Sequence, residues 1–437
     1  MAITLTGSVR LAGAVQAAGD GAVAPPSASY YIGTLTGLEA DSGNNIVADN
    51  SGYAYMLGAG KVVKLGVDGS ISWQKSLSAS TTDLWGAVDS SDNLHVTQGS
   101  TVVKYNSSGT IQWQRSLVTA SWRAVAVDSS SNVYLCGILF SSPTDIIVAK
   151  YNSSGAIQWQ RKLATSSNVN DAGYGVAVDS SGNVYVGGAD QTNKGYVAKY
   201  NSSGTIQWQK SLANAFSLDF GYITGRVGSV AVDSSGNVYV GLELLYTVAS
   251  TASMDVLLVK FDSSGTTLWQ RRLSGSGADR PDYFTGMTTD SAGNTYLTSR
   301  SGSTNAINMF KYNSSGTIQW QRDLVTNASA TNYGVGGISV SSNRVFACGT
   351  VTVSGSKGGL FAALPLDGTL TATYSLSTVT GGSVTYRTNT TFTDSAGALT
   401  IATSSLTAST PTLTEQAGAL SETTPSLTLT KVSLGLV

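Results

Sequence analysis

Reactive and ionisable side chains are scarce in this chain of 437 residues. It has one histidine, two cysteines and seven prolines, and charged residues make up only 12% of the sequence, about half the usual share of roughly 25%. The formal net charge is −1, whereas proteins that bind nucleic acid or anionic membranes carry a basic surface. Two cysteines are too few for a disulfide framework. We therefore expect no nucleic-acid partner and no disulfide-stabilised fold.

Long hydrophobic runs are also missing. No stretch approaches the roughly 18 consecutive apolar residues that a membrane helix needs. The start, MAITLTGSVRLAGAVQAAGDGAVAPPS, lacks the basic residues and the unbroken apolar core of a secretory signal. We expect neither membrane insertion nor a cleaved signal. Glycine, in contrast, occurs 49 times, and together with abundant Ser and Thr it indicates β-structure with many tight turns.

Two short motifs alternate along the middle of the chain. The first, KYNSSGTIQWQR at residues 104–115, has six clear copies at intervals of 40 to 61 residues, with a tryptophan in each: Trp73, Trp113, Trp159, Trp208, Trp269 and Trp320. A faded seventh copy, ALPLDGTLTATY, begins at Ala363 and brings Tyr374 near its end. The second motif, VAVDSSGNVYVGG at residues 176–188, precedes each copy of the first.

Each pair of motifs reads as four short strands joined by Asx- and Gly-containing turns. Antiparallel four-stranded units repeated at roughly 40–50 residues are typical of a β-propeller. We predict an all-β fold, a seven-bladed β-propeller of four-stranded antiparallel blades, with β-rich N- and C-terminal arms. Residues 33–377 hold seven units in sequence order, residues 1–32 form an anchoring arm, and residues 378–437 form a Thr/Ser-rich β segment for assembly contacts.

The two motifs resemble those of the bacterial seven-bladed propeller repeat family called SBBP. SSGTIQWQ also resembles the tryptophan-docking motif of quinoprotein propellers. Both resemblances imply the fold, and propellers host unrelated activities. A quinoprotein enzyme, a third hypothesis, would imply paired cysteines and calcium-binding acids around the axis. Cys136 and Cys348 instead fall at equivalent positions of blades 3 and 7, where small core residues are expected, so we predict no cofactor.

Catalytic and metal-binding patterns are weak. The single histidine, His95, stands where sister repeats have tyrosine, which indicates a core position rather than a catalytic triad. The DSSGN turns offer one acid each, whereas calcium loops usually offer several. The NSS sequons always fall in the same tight turn, which favours a folding role for them. We predict a non-enzymatic protein without a metal site.

The copies differ on one face only. Turns between strands 1–2 and 3–4 of each blade are nearly identical, and we call their side the constant face. Loops between strands 2–3 and between blades vary in length and content, and their side is the variable face. Binding residues concentrate on such loops. The candidate ligand-binding residues there are Trp85, Trp122, Arg123, Tyr174, Asp279, Arg280, Phe284 and Tyr333.

Aromatic rings beside a few polar groups suit sugars, so a host-surface glycan is one ligand class this set predicts. The alternative is that the aromatics only plug the channel. The low-charge, Ser/Thr-rich terminal arms resemble those of bacteriophage virion proteins. The leading hypothesis is therefore a structural protein of a tailed phage, displayed on tail or capsid for adhesion or decoration and bound to other virion proteins in a homo- or hetero-oligomeric assembly. The alternative is a bacterial cell-surface or exported propeller that acts as a protein-interaction scaffold.

Overall fold

Antiparallel strands are the regular secondary structure of the described residues, and turns connect them. The computed structural model describes residues 30–36, 45–77, 83–164, 169–191, 194–214, 224–248, 251–275, 282–301, 306–326, 336–341, 343–353, 356–369 and 372–375, and in the C-terminal segment residues 383–388, 392–396, 399–403, 407–409, 416–417, 422–423 and 428–434. Within these ranges there is no helix, and therefore no helix that could span a membrane.

The first strand, β1 (Tyr30–Thr36), precedes the first blade, and the strands of the seven blades follow it in chain order. Blade 1 consists of β2 (Asn45–Ala48), β3 (Ala54–Gly58), β4 (Lys61–Leu65) and β5 (Ile71–Leu77). Blade 2 consists of β6 (Leu84–Val88), β7 (Leu94–Gln98), β8 (Thr101–Tyr105) and β9 (Ile111–Ser116). Blade 3 consists of β10 (Ala120–Val127), β11 (Val133–Leu139), β12 (Asp145–Tyr151) and β13 (Ile157–Ala164). Blade 4 consists of β14 (Asp171–Val178), β15 (Val184–Asp190), β16 (Gly195–Tyr200) and β17 (Ile206–Asn214). Blade 5 consists of β18 (Thr224–Val232), β19 (Val238–Val248), β20 (Thr251–Phe261) and β21 (Thr267–Gly275). Blade 6 consists of β22 (Asp282–Thr289), β23 (Thr295–Ser301), β24 (Ala306–Tyr312) and β25 (Ile318–Thr326). Blade 7 begins with β26 (Ile338–Val340), β27 (Arg344–Val353) and β28 (Ser356–Pro365). The seven-bladed, four-stranded, antiparallel β-propeller predicted from the repeats is confirmed.

The seventh blade is completed by the start of the chain. β1 pairs with β28 as its fourth strand, with Tyr31 opposite Ala363, so strands at the two ends of the repeat region close the ring. The prediction that blade 7 ends with its own copy near Tyr374 is wrong. Tyr374 lies in β29 (Ala372–Ser375), which pairs with a strand at the rim of blade 6 instead. The faded copy does not form the fourth strand of blade 7, because β1 occupies that position.

A fifth strand lies outside the fourth strand of every blade, and all seven come from the C-terminal segment. In chain order they are β30 (Ser383–Thr388), β31 (Phe392–Ala396), β32 (Leu399–Thr403), β33 (Thr407–Ser409), β34 (Gln416–Ala417), β35 (Glu422–Thr423) and β36 (Thr428–Leu434). They join blades 6, 5, 4, 3, 2, 1 and 7 respectively. The segment thus runs around the propeller against the order of the blades, and we call these seven strands the belt.

Hydrophobic burial occurs between blades. The buried apolar residues form seven clusters, and each cluster joins two neighbouring blades. One example joins Tyr134 and Val148 of blade 3 to Val186 and Tyr200 of blade 4. Because no blade buries both of its faces alone, stability depends on the closed ring.

The repeated tryptophan provides the same contact at six junctions. The indole N–H of Trp159 donates to the carbonyl of Ser202 in the next blade at 3.1 Å, and Trp73, Trp113, Trp208, Trp269 and Trp320 donate to the equivalent turn. Each ring lies so close to the turn glycine that a side chain there would overlap it, as at Gly204 against Trp159. Each of these six tryptophans thus makes a contact between neighbouring blades.

Candidate functional site

The innermost strands of the seven blades surround a central channel of about 450 Å³. Its walls are formed mainly by Gly, Ala, Val, Ser and Thr, and the larger lining residues include Trp85, Tyr174 and Met287. None of the channel-lining residues in the described ranges carries a charge. The channel can therefore accept a neutral side chain or ring, and Tyr174 is the one titratable side chain among its described lining residues.

Hydrogen bonds within the DSSGN turns hold the constant-face end of the channel. In blade 3 the Asp128 carboxylate accepts backbone N–H bonds from Ser130 and Asn132 at 2.9 Å, and Tyr134 donates to its other oxygen at 2.9 Å. The same arrangement recurs with Asp179, Asp233 and Asp290. The motif therefore has a structural explanation on this face.

Blade 2 has His95 in place of the tyrosine. Its Nε2 lies 3.4 Å from Asp89 Oδ2, and Lys104 Nζ lies 3.1 Å from the same oxygen. Desolvation lowers the pKa of the buried His95, against the influence of Asp89. Burial alone would raise the pKa of Asp89, but hydrogen bonds from His95, Asn93 and Lys104 hold it well below its usual range. His95 is a core residue, as the repeat alignment predicted, and it lies outside the channel lining.

The basic residues of the repeats also contact neighbouring turns. Lys199 donates to the Ser263 carbonyl at 2.8 Å, and Lys64 and Lys260 make the equivalent bond. The Arg115 Nε donates to the Gly155 carbonyl at 2.7 Å, as its counterparts do in three other blades. These cations are engaged by backbone carbonyls around the ring rather than gathered into one patch.

Two of the predicted ligand-binding residues are core residues. Trp122 is fully buried between blades 2 and 3, and its indole N–H donates to the Ser100 carbonyl at 3.1 Å. Phe284 is buried against Gly228 and Gly241 of blade 5, where the absence of side chains makes room for its ring. A ligand at the surface cannot reach either ring, so burial argues against the prediction that Trp122 and Phe284 bind a ligand.

Three predicted residues do come together near the variable-face end of the channel. Trp85 and Tyr174 are half-buried and line it. The Arg123 guanidinium lies 5.0 Å from the centre of the Tyr174 ring, a cation–π distance. Arg123 and Tyr174 are the extra residues of β-bulges in β10 and β14, and a bulge re-aims a side chain in this way. Asp279, Arg280 and Tyr333 lie outside the described residues.

A further feature of the variable face was missed from the sequence. Val118 and Phe140 are 56% and 59% exposed, the largest exposures among the apolar side chains of the described ranges. Their loops are joined because the Phe140 N–H donates to the Thr119 carbonyl at 2.7 Å. The only sequence signal was an uncharged stretch in each loop, LVTAS and LFSSPT, which is no stronger than elsewhere in this low-charge chain.

Ion pairs brace the same side of two blades. The buried Asp145 carboxylate lies 2.5 Å from Lys162 Nζ and accepts a bond from the Ser141 hydroxyl. Asp255 pairs with Arg272 in blade 5. Each pair links the third strand of a blade to its fourth strand at the variable-face end. The ion pairs thus hold together the strand ends from which the variable loops begin.

The donor set of the described residues is poor in metal ligands. No group of three or more His, Cys, Asp or Glu residues lies close enough within these ranges to hold a metal ion. Burial raises the pKa of Cys136 and of Cys348 to about 12, so both thiols stay protonated at neutral pH. Both occupy the small core positions that the repeat alignment predicted for them.

Comparison with known proteins gives a family. A family model described as outer membrane protein assembly factor BamB matches residues 9–192 and again residues 193–422. No curated protein matches the sequence significantly. Among solved structures, a protein of unknown function from Bacteroides caccae is 12% identical with a TM-score of 0.42, over 68% of this chain and 93% of its own. The Dos1 propeller is 12% identical with a TM-score of 0.40, over 71% of this chain and 75% of its own.

Proposed function

This chain belongs to the family of outer membrane protein assembly factor BamB, and from that premise we propose that it is a non-enzymatic propeller that binds a macromolecule through its variable face. The observation that carries the proposal is the division between the two faces. On the constant face, the repeated aspartates and tryptophans have structural partners, such as Tyr134 for Asp128 and Ser202 for Trp159. Folding thus accounts for the repeats, and it does not account for the variable loops.

The absence of catalysis is part of the proposal and rests on the channel chemistry. The described lining residues carry no charge, and His95 and the two cysteines are enclosed in the core. A general acid, base or nucleophile must reach its substrate. These three side chains do not.

The leading form of the proposal is a virion protein of a tailed phage, displayed on tail or capsid for adhesion or decoration. It rests on the composition and on the terminal segments. A host-surface glycan is the ligand proposed for the channel mouth, where Trp85, Tyr174 and Arg123 offer aromatic faces and a cation. Deletion of residues 1–29 is expected to abolish incorporation into particles and to leave a folded propeller. Full incorporation of the truncated chain would contradict the virion form.

A second candidate is a protein-interaction scaffold at the bacterial cell surface, and two observations favour it. The family description names an assembly factor. Val118 and Phe140 are apolar side chains held exposed on the variable face, and exposed apolar groups on rigid loops suit a protein partner better than a sugar.

Two sets of variants separate these candidates. Trp85→Ala with Tyr174→Ala removes the aromatics of the channel mouth, and Val118→Ser with Phe140→Ser removes the exposed apolar pair. Leu268→Gln is the matched control, because Leu268 is 50% exposed on the outer strand β21, where other blades carry glutamine. Binding to intact cells and to their purified polysaccharide is the measurement. Loss of binding in the Trp85 and Tyr174 variants alone favours a glycan ligand. Loss of binding in the Val118 and Phe140 variants alone favours a protein partner. Unchanged binding in both sets would contradict binding at these residues.

A further inference from the structure

The two ends of the chain meet in one sheet. β1 lies between β28 and β36, and it is paired with β28 from Tyr31 to Thr36 and with β36 from Tyr30 to Thr36. The N-terminal strand therefore has hydrogen-bonding neighbours along both of its edges. We call the set β28, β1 and β36 the clasp.

The clasp places the start of β1 and the end of β36 on the constant face. Tyr31 occupies the position of the repeated tryptophan, and its ring lies against Gly69, in the turn between strands 3 and 4 of blade 1. Tyr30, one residue earlier, is opposite Leu434. The chain thus enters β1 and leaves β36 at the same edge of blade 7, on the side opposite to the variable loops.

The end of the belt differs from the rest of the belt. In blades 1 to 6 the belt strand pairs only with the last residues of the fourth strand, beyond the tryptophan, as in the pairs Arg271–Ala396 and Gly275–Phe392 of blade 5. In blades 1 and 2 only two residues pair. β36 instead covers β1 over seven residues, from Thr36 to Tyr30. This strand is therefore matched in length to the one strand that closes the ring.

From this geometry we infer that the clasp is a mechanical lock, in which β36 holds the N-terminal strand β1 in the ring. The inference rests on the proposed function, because a displayed propeller is loaded through its chain. A pull on Tyr30 away from the ring acts along β1, and antiparallel hydrogen bonds lie perpendicular to the strand. The hydrogen bonds of β1 to β28 and to β36 are then loaded together.

The lock can be tested on the purified full-length chain without a binding partner. A protease site inserted in the connection 37–44 separates β1 from β2 once it is cut. The N-terminal fragment, labelled at residue 2, then stays on the propeller only through the clasp. Its release rate is measured in the parent, in Thr430→Pro and Lys431→Pro of β36, and in a chain truncated after residue 426. Thr400→Pro and Ile401→Pro of β32 in blade 4 are the matched controls.

We expect slow release in the parent and in both β32 controls. Release should be about tenfold faster or more in the truncated chain and in at least one β36 variant, because proline removes a ladder hydrogen bond and neighbouring residues direct their N–H groups to opposite edges. Equal release in the parent and the truncated chain would overturn the lock, and so would equal acceleration by the β32 controls. The assay reads no ligand binding, so failure of the lock is distinguishable from failure of the proposed function, which the variable-face variants test.

Discussion

Tyr31 lies against Gly69 as each repeated tryptophan lies against the turn glycine of the next blade. A Cβ on Gly69 would lie 2.9 Å from Tyr31 Cγ, and a Cβ on Gly155 would lie 2.8 Å from Cδ2 of Trp113. The seventh docking ring thus comes from the N-terminal strand, whereas the other strands of its sheet lie near the C-terminal end of the chain. All seven junctions between blades contain the same contact, in which an aromatic side chain packs on a glycine with positive φ.

The docking glycines are expected to be more sensitive than other turn glycines. Gly155→Ala should cost about 1–3 kcal/mol of unfolding free energy beyond the backbone strain, because the new methyl overlaps the Trp113 ring. Gly236 is the matched control, since its φ of 77° is similar but its nearest neighbour would be 3.6 Å away. Gly236→Ala should cost only the strain, about 1–2 kcal/mol. Denaturant unfolding of the two variants is the measurement, and equal losses would contradict the docking role.

The aromatic ring of Tyr31 is expected to contribute more to stability than its hydroxyl. Tyr31→Ala should cost about 3–5 kcal/mol, because a fully buried aromatic ring is removed from the junction of blades 7 and 1. Tyr31→Phe should cost less than about 1.5 kcal/mol, because the hydroxyl makes one long bond, 3.4 Å, to the Gly66 carbonyl. Thermal unfolding compares the two variants. A phenylalanine variant as unstable as the alanine variant would show that the hydroxyl, not the ring, holds the junction.

How far the sequence could predict this structure depended on the range of the interactions. The blades were predictable because their strands and turns are local and repeated. The pairing of β1 with β28 was not, because these strands lie at opposite ends of the propeller and β1 carries no tryptophan. The belt strands were hidden as well, since several pair over only two or three residues. Ser/Thr-rich composition indicated β-structure there but not the partners.

The candidate site was only partly predictable for a related reason. Trp122 and Arg123 are neighbours, yet the first is buried between blades and the second lies on Tyr174. The β-bulge between Trp122 and Ala124 sets this arrangement, and strand alternation in a sequence does not reveal a bulge. Exposure of Phe140 depends on the packing of two loops, which no local pattern encodes.

Replacement of the histidine should change the pH dependence of stability. Burial lowers the pKa of His95 in the folded protein. Below pH 6.5 the unfolded chain therefore takes up a proton that the folded chain does not, and the free energy of unfolding decreases as the pH is lowered. His95→Tyr restores the residue of the sister blades and removes this loss. The unfolding free energies of variant and parent should diverge between pH 6.5 and 5, by up to about 1.4 kcal/mol per pH unit. Asp89, with its lowered pKa, adds a further loss only below about pH 4.

The reverse substitution in the next blade provides the control. Tyr134→His places a histidine beside Asp128, and it should introduce a loss of stability over the same pH range. Urea titrations at several pH values test both variants. Parallel pH profiles for His95→Tyr and the parent would show that His95 is not held neutral by burial.

The ion pair beneath the blade 3 loop should show strong coupling. Lys162→Met leaves the Asp145 carboxylate buried, with a hydrogen bond from the Ser141 hydroxyl but without its cation, and should cost about 1–3 kcal/mol. Because the Lys162 side chain is 32% exposed, solvent screening keeps the cost toward the lower end of that range. Asp145→Asn with Lys162→Met should cost less than the sum of the single variants. A double-mutant cycle measures the coupling, and additive losses would contradict a functional pair.

The most direct test of the division between the two faces is a substitution scan of both faces with two separate readouts. Each variant is scored for protease resistance, which reports folding, and for retention on intact cells or particles of the native source, which reports binding. We predict that substitutions in the constant turns, such as Asp128→Ala or Gly155→Ala, reduce folding and that well-folded variants of the variable loops reduce binding. Binding losses that map to the constant turns in folded variants, or variable loops that tolerate every substitution in both readouts, would contradict the account.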